Sequence, residues 1–140
     1  MRTILIAHRD TAFAEHLAGE LRGWGYHVIE CPGPMPPVAR CIRCDKGYCP
    51  LTEGADLMIY DPRLNAPDGA GHVHNLATES ALSDPTVPML LAWSPETVPD
   101  AGTLRAIRME APWVHVAAHA PGALRRQVHD LLAAGVTSPV

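Results

Sequence analysis

The stretch TILIAHRDTAFAEHLAGELRGWGYHVIEC, residues 3–31, carries two hydrophobic periods in one run, and its reading sets the fold. Its first five residues are a short apolar run rich in β-branched side chains, the pattern of a strand buried on both faces. Phe13, Leu17, Leu21 and Trp24 then recur at three- and four-residue steps, which puts them on one face of a helix. Asp10 or Thr11 is positioned to cap that helix, and Gly23 or Gly25 marks its stop. YHVIEC, residues 26–31, reads as a second strand.

The same alternation continues outward. ADLMIYD (55–61) is a third strand ending on Asp61, HVHNLATESAL (72–82) a short helix, VPMLLAWS (87–94) a fourth strand and AGTLRAIRME (101–110) a helix. WVHVAAHA (113–120) is a fifth strand, and GALRRQVHDLLAAG (122–135) a last helix closed by Gly135. Residues 31–54 form a Pro/Cys-rich inserted segment, too dense in proline and glycine for a long helix. The expectation is one α/β domain over residues 1–135 with a short tail at 136–140. Its flavodoxin-like parallel sheet has five strands in the order 2-1-3-4-5, with helices on both faces and the inserted loop in place of the second helix. Such sheets carry their functional groups at the carboxyl ends of the strands.

A chain of 140 residues is long enough to bury a core without staples, and 47% hydrophobic with 19% charged residues is ordinary for a globular domain. The net charge of −4, with eight histidines counted neutral, excludes a broad basic surface, so direct nucleic-acid binding is not expected. The opening MRTILIAHRD has too few apolar residues for a signal peptide, and no stretch is long enough to span a bilayer. A cytoplasmic protein without a membrane partner is expected, its thiols normally reduced.

Five pieces of the chain together resemble the response-regulator receiver domain. They are TILIA followed by HRD, the helix ending LRGWGYHVIEC, ADLMIYD with Asp61 at the third strand's end, NAPDG just after it, and LLAWS with Ser94 at the fourth strand's end. The resemblance covers roughly residues 2 to 134 apart from the Pro/Cys segment. It implies that Asp61 stands where the family accepts a phosphoryl group, and Ser94 where a hydroxyl follows the phosphorylation state. The family's acidic pair for Mg²⁺ falls on His8 and Arg9, leaving Asp10 as the nearby acid, so Mg²⁺ is not expected here. The family's lysine after the fifth strand is absent, since the chain's only lysine is Lys46; His119 is the nearest basic group.

Two readings follow from the residues. In one, Asp61 accepts phosphate from a histidine kinase or a small phosphodonor, with Arg9 supplying positive charge and His119 standing in for lysine. In the other, Asp61 is ion-paired to Arg9 or His8, and the domain is a non-catalytic signalling module that works through protein contacts. Its partner would be a signalling protein or a kinase, and the resemblance implies a homodimer through the fourth helix, fifth strand and fifth helix as a further form. The plain structural reading is that Asp61 caps the loop ahead of Pro62.

All four cysteines fall in one region, Cys31, Cys41, Cys44 and Cys49, spaced C-x9-C-x2-C-x4-C. A CxxC step lets two thiolates reach one ion from a tight turn, and two further cysteines complete a tetrahedral set. A structural zinc is the leading expectation, an iron–sulfur cluster or disulfides the alternatives, and a thiol-based redox or metal sensor the functional variant. Among the histidines, His72 and His74 lack an evident third ligand, His16 and His129 read as solvated, and His115 as buried and hydrogen-bonded. Trp93 and Trp113 read as core, and NAPDGAG lacks the pattern of a phosphate loop.

Overall fold

The computed structural model describes residues 1–31, 49–67, 73–95, 97 and 100–134. Cys41, Cys44, Lys46 and His72 lie outside these residues. The elements in chain order are β1 (Thr3–Ala7), α1 (Thr11–Gly23), β2 (His27–Cys31), α2 (Pro50–Glu53), β3 (Leu57–Tyr60), β4 (Asn65–Pro67) and β5 (Val73–Asn75). They continue with α3 (Leu76–Ser83), β6 (Met89–Leu91), α4 (Ala101–Glu110), β7 (His115–Val116) and α5 (Pro121–Ala134).

A five-stranded sheet runs β2-β1-β3-β6-β7 with every neighbouring pair parallel, while β4 and β5 form a separate antiparallel hairpin. With the hairpin set aside, the sheet's own strands stand in the order 2-1-3-4-5, as the alternation of periods predicts. Alternate residues of each buried strand feed two cores, one on either face. Ile4, Ile6, Leu57, Ile59, Leu90 and Ala92 pack with Leu17 and Leu21 of α1 and Leu124 and Val128 of α5. Leu5, Met58, Tyr60, Met89, Leu91 and Trp93 pack on the opposite face with Leu76 and Ala77 of α3 and Ile107 of α4.

Four details depart from the sequence reading. The expected helix over 72–82 begins only at Leu76, because Val73–Asn75 pairs with Asn65–Pro67 and Asn75 caps the helix by accepting from the Thr78 amide at 3.0 Å. The fifth strand is two residues long, and the Gln127 amide replaces its missing ladder. That side chain accepts from the Ala118 N–H at 2.8 Å and donates to the Val116 carbonyl at 2.9 Å. His115 is exposed rather than buried. The end of the inserted segment holds one helical turn, α2, with Pro50 in its first turn, where a missing N–H costs nothing.

Both described cysteines are tied to the framework. The Cys31 carbonyl accepts the His8 amide at 3.0 Å, continuing the β1–β2 ladder. The Cys49 carbonyl accepts from Thr52 Oγ1 at 2.9 Å, and that buried hydroxyl also lies 2.7 Å from the Asp84 carboxylate.

Candidate functional site

The parallel ladder carries three residues just past their strands to one rim. The Asp61 amide donates to Ala7 O at 2.8 Å, and the Ala92 amide to Tyr60 O at 3.0 Å, so His8, Asp61 and the Ala92–Ser94 segment lie side by side. His8 and Asp61 are both 0% exposed, and Ser94 is 3% exposed.

The buried carboxylate of Asp61 is held by Arg63. Oδ1 accepts from the Arg63 backbone amide at 2.9 Å and from Nε at 3.0 Å, while Oδ2 accepts from Nη2 at 3.1 Å and from the Arg9 amide at 3.3 Å. The first of these bonds is the loop-capping role that the Asp-Pro pair suggests. The next two are a guanidinium fork, the geometry in which arginine and carboxylate bind most strongly. Burial alone pushes the Asp61 carboxyl up, but the Arg63 side-chain and backbone bonds, with the charge of that guanidinium, outweigh it and hold the group below its ordinary value.

This corrects the expected partner. Arg9 is exposed and offers only its backbone N–H, and the ion-pairing arginine is Arg63. The signal was present in DPR, because a residue two places after an aspartate that starts a turn is folded back onto it. From Arg63 the network runs on, with Nη1 donating to Thr97 Oγ1 at 3.1 Å and Thr97 Oγ1 lying 2.8 Å from Ser94 Oγ. Ser94 is thereby joined to Asp61 through a hydroxyl and a guanidinium.

His8 is not the ionic partner either. Its Nδ1 accepts the Asp10 amide at 3.0 Å, so that nitrogen carries no proton, and Nε2–H donates to Ala92 O at 2.9 Å. The 3.5 Å approach of Nδ1 to Asp61 Oδ2 is therefore a lone pair beside a carboxylate, not a salt bridge. Burial, the largest influence, pushes the imidazole below its ordinary value despite the attraction of Asp61. The ring also packs edge-on against Phe13, centroids 4.9 Å apart.

Asp10 caps α1 instead of facing Asp61, accepting from the Phe13 amide at 3.0 Å. His119 is exposed on the loop after β7, beside a cavity of about 220 Å³ between α1 and α5, and no bond joins it to Asp61 among the described residues. His74, for which the sequence offers no third metal ligand, is half-buried and pairs through Nδ1 with Glu79 at 2.6 Å. His16 is exposed but pairs with Glu20 at 3.0 Å, and His129 is exposed. Trp93 is core and Trp113 packs at the core's edge; neither indole N–H has a hydrogen-bond partner among the described residues. Among the described residues no three His, Cys, Asp or Glu side chains cluster as a metal site; Cys41 and Cys44 of the four-cysteine set lie outside those residues.

No family model matches the chain, and no curated protein sequence does. Solved structures are similar over nearly its whole length. A CheY-like response-regulator receiver domain protein from Methanospirillum hungatei JF-1 superposes with a TM-score of 0.63 at 15% identity, over 95% of this chain and 94% of that one. The signal receiver domain of a modulated diguanylate cyclase from Desulfovibrio desulfuricans G20 gives 0.64 at 21%, over 95% and 94%. A protein provisionally assigned to pilus assembly in Burkholderia pseudomallei K96243 gives 0.60 at 25%, over 95% and 90%. The fold of this chain is the receiver fold, as the sequence resemblance implies.

Proposed function

We propose that this chain is a receiver-type signalling module that acts by binding a protein partner and does not cycle a phosphoryl group. The observation that carries this reading is the Arg63 fork on a carboxylate that is 0% exposed. A phosphoacceptor carboxylate needs an oxygen open to the donor and a cation to neutralise the incoming charge. Here both oxygens are engaged, and the cation is a side chain already bonded to them. The residues present do not fit Mg²⁺, which needs free carboxylate oxygens, because Asp10 is engaged as a helix cap and neutral His8 presents a nitrogen. No catalytic group is assigned, and the module is read as non-enzymatic.

The partner is taken to be a histidine kinase, another signalling protein or a second copy of the chain. The surface that supports this is α4, in which Ile107 is the buried residue and Met109 stands 79% exposed. Among the described residues no helix is long and apolar enough to cross a membrane. The site is tested by incubating the protein with acetyl phosphate and Mg²⁺ and mapping adducts by mass spectrometry. No phosphoryl group on Asp61 is expected; stoichiometric transfer to it would replace this reading with that of a phosphoacceptor. That second reading is favoured by the Ser94–Thr97–Arg63 chain, which places hydroxyls in contact with the Asp61 counter-ion.

The zinc assignment stands beside this as a proposal on donor chemistry. Four thiolates with no open position suit structural Zn²⁺, and Cys31 and Cys49 are the two ends at which the segment is tied to the framework. An iron–sulfur cluster and a thiol redox element are the competing states. Elemental mass spectrometry decides, with about one zinc per chain expected, lost on Cys41→Ser/Cys44→Ser. Absent metal with fewer than four titratable thiols would favour the redox element.

A further inference from the structure

Helix α5 buries Leu124, Val128 and Leu132, which leaves Gly122, Arg125, Arg126 and His129 on an adjoining stripe at helical spacing. Together with Trp24 and Tyr26, which follow α1, these four residues line a groove of about 420 Å³ with no acidic residue in its wall. The Arg125 guanidinium lies over the Trp24 ring, 5.7 Å from its centroid. Arg125 and Arg126 are exposed, Trp24 and Tyr26 half-buried. Arg2, Arg22 and Arg63 each pair with a carboxylate, whereas neither Arg125 nor Arg126 does so among the described residues.

We propose that this groove is a binding site for a mononucleotide, its phosphate taken by Arg125 and Arg126 and its base set against Trp24 and Tyr26. Two adjacent guanidiniums that form no salt bridge among the described residues, in a chain of net charge −4, give the groove a local positive charge, with Asp130 one turn beyond Arg126 on the same helix. Guanidinium forks match phosphate oxygens bidentately, and His129 adds a further donor. Half-buried Tyr26 and the rim of Trp24, whose ring Arg125 covers, supply the flat apolar surface against which a base lies. The volume lies within the range of small-ligand pockets. A nucleic-acid polymer fits less well, because its backbone needs a track of positive charge, and here the charge is confined to one groove. None of the lining residues belongs to the Asp61 network, so this site stands or falls independently of the signalling reading.

The test titrates the full chain with GMP and AMP, beside guanosine and inorganic phosphate, by calorimetry and tryptophan fluorescence. The mononucleotide should saturate, with the nucleoside and the bare phosphate each about tenfold weaker or more, because each lacks one half of the contact. Arg125→Gln and Arg126→Gln should each weaken nucleotide binding about tenfold, the effect of losing a charge-assisted hydrogen bond. Arg105→Gln on α4 makes the same change in net charge elsewhere and should leave binding within about twofold. Thermal melts confirm that each variant is folded. Failure of either nucleotide to saturate at millimolar concentration overturns the site, as does equal loss in Arg105→Gln and Arg126→Gln. Tighter binding of an acidic peptide or a single-stranded oligonucleotide than of the mononucleotide overturns the ligand assignment.

Discussion

Arg63 and the Arg125–Arg126 pair put the same functional group to opposite uses. Arg63 is turned inward, and its charge is cancelled by a carboxylate that water does not reach. Arg125 and Arg126 are turned outward on a helix stripe, with no acidic residue in the groove wall they share. The inward arginine contributes to the stability of the fold, because without it a buried charge would be left unpaired. The outward pair contributes little to stability and holds its electrostatic potential in reserve for whatever enters the groove. The rim where the receiver fold usually does its chemistry is thus the closed region of this molecule, and a helix face away from it is the open one.

The sharpest way to break this contrast is Arg63→Ala. It strands Asp61 in the interior and should lower unfolding stability by about 3 kcal/mol, read from the urea midpoint, while Arg63→Ala/Asp61→Asn should recover most of that loss. A drop no larger than that of a surface substitution would mean Asp61 is hydrated and the closed rim is an illusion.

Acid is the next lever. The His8 imidazole is held below its ordinary value of 6.5 in the folded chain, so the unfolded chain binds that proton first. Stability from the neutral ring is full above about pH 6.5 and falls as the pH drops below it, with a slope of at most about 1.4 kcal/mol per pH unit. Asp61, held below 3.8, contributes above that pH and loses its contribution as the pH falls through its lowered value. Urea midpoints measured from pH 8 downward should show the first decline, and His8→Gln should flatten it.

A smaller effect is expected at the helix cap. Asp10→Ala removes the acceptor for the Phe13 amide and should cost about 1 kcal/mol, with no change in reactivity toward acetyl phosphate. If the variant instead altered metal binding or phosphorylation, Asp10 would be facing the rim. The least effect is expected at Arg126→Ala, whose unfolding midpoint should stay within about 0.5 kcal/mol of the parent. A larger loss there would give the outward arginine a structural role and weaken the comparison.

The strands were legible because each is a mostly apolar run that no amphipathic helix would carry, and all five sheet strands lie within those runs. The rim positions of Asp61 and Ser94 followed from the same runs. What failed was local and polar. Nothing in WVHVAAHA shows that a glutamine on the next helix will take over the hydrogen bonds of the fifth strand. VHN was read as part of the helix that follows it because one apolar residue sets no period, and its pairing with Asn65–Pro67 decided it. Arg9 and His8 were expected as the partners because they occupy the positions of the family's acidic pair, and Arg63 was not weighed. In three dimensions the turn at Asp61-Pro62 brings the nearer guanidinium round first.

The two-residue separation of Asp61 and Arg63 bears on how the chain reaches its fold. Closing a contact over two residues loses little chain entropy, whereas an ion pair drawn from a distant strand would form only after most of the sheet had assembled. The carboxylate therefore enters the interior with its counter-ion already in hand, and the central strand β3 can be sealed between β1 and β6 without a bare charge having to cross from water into the core.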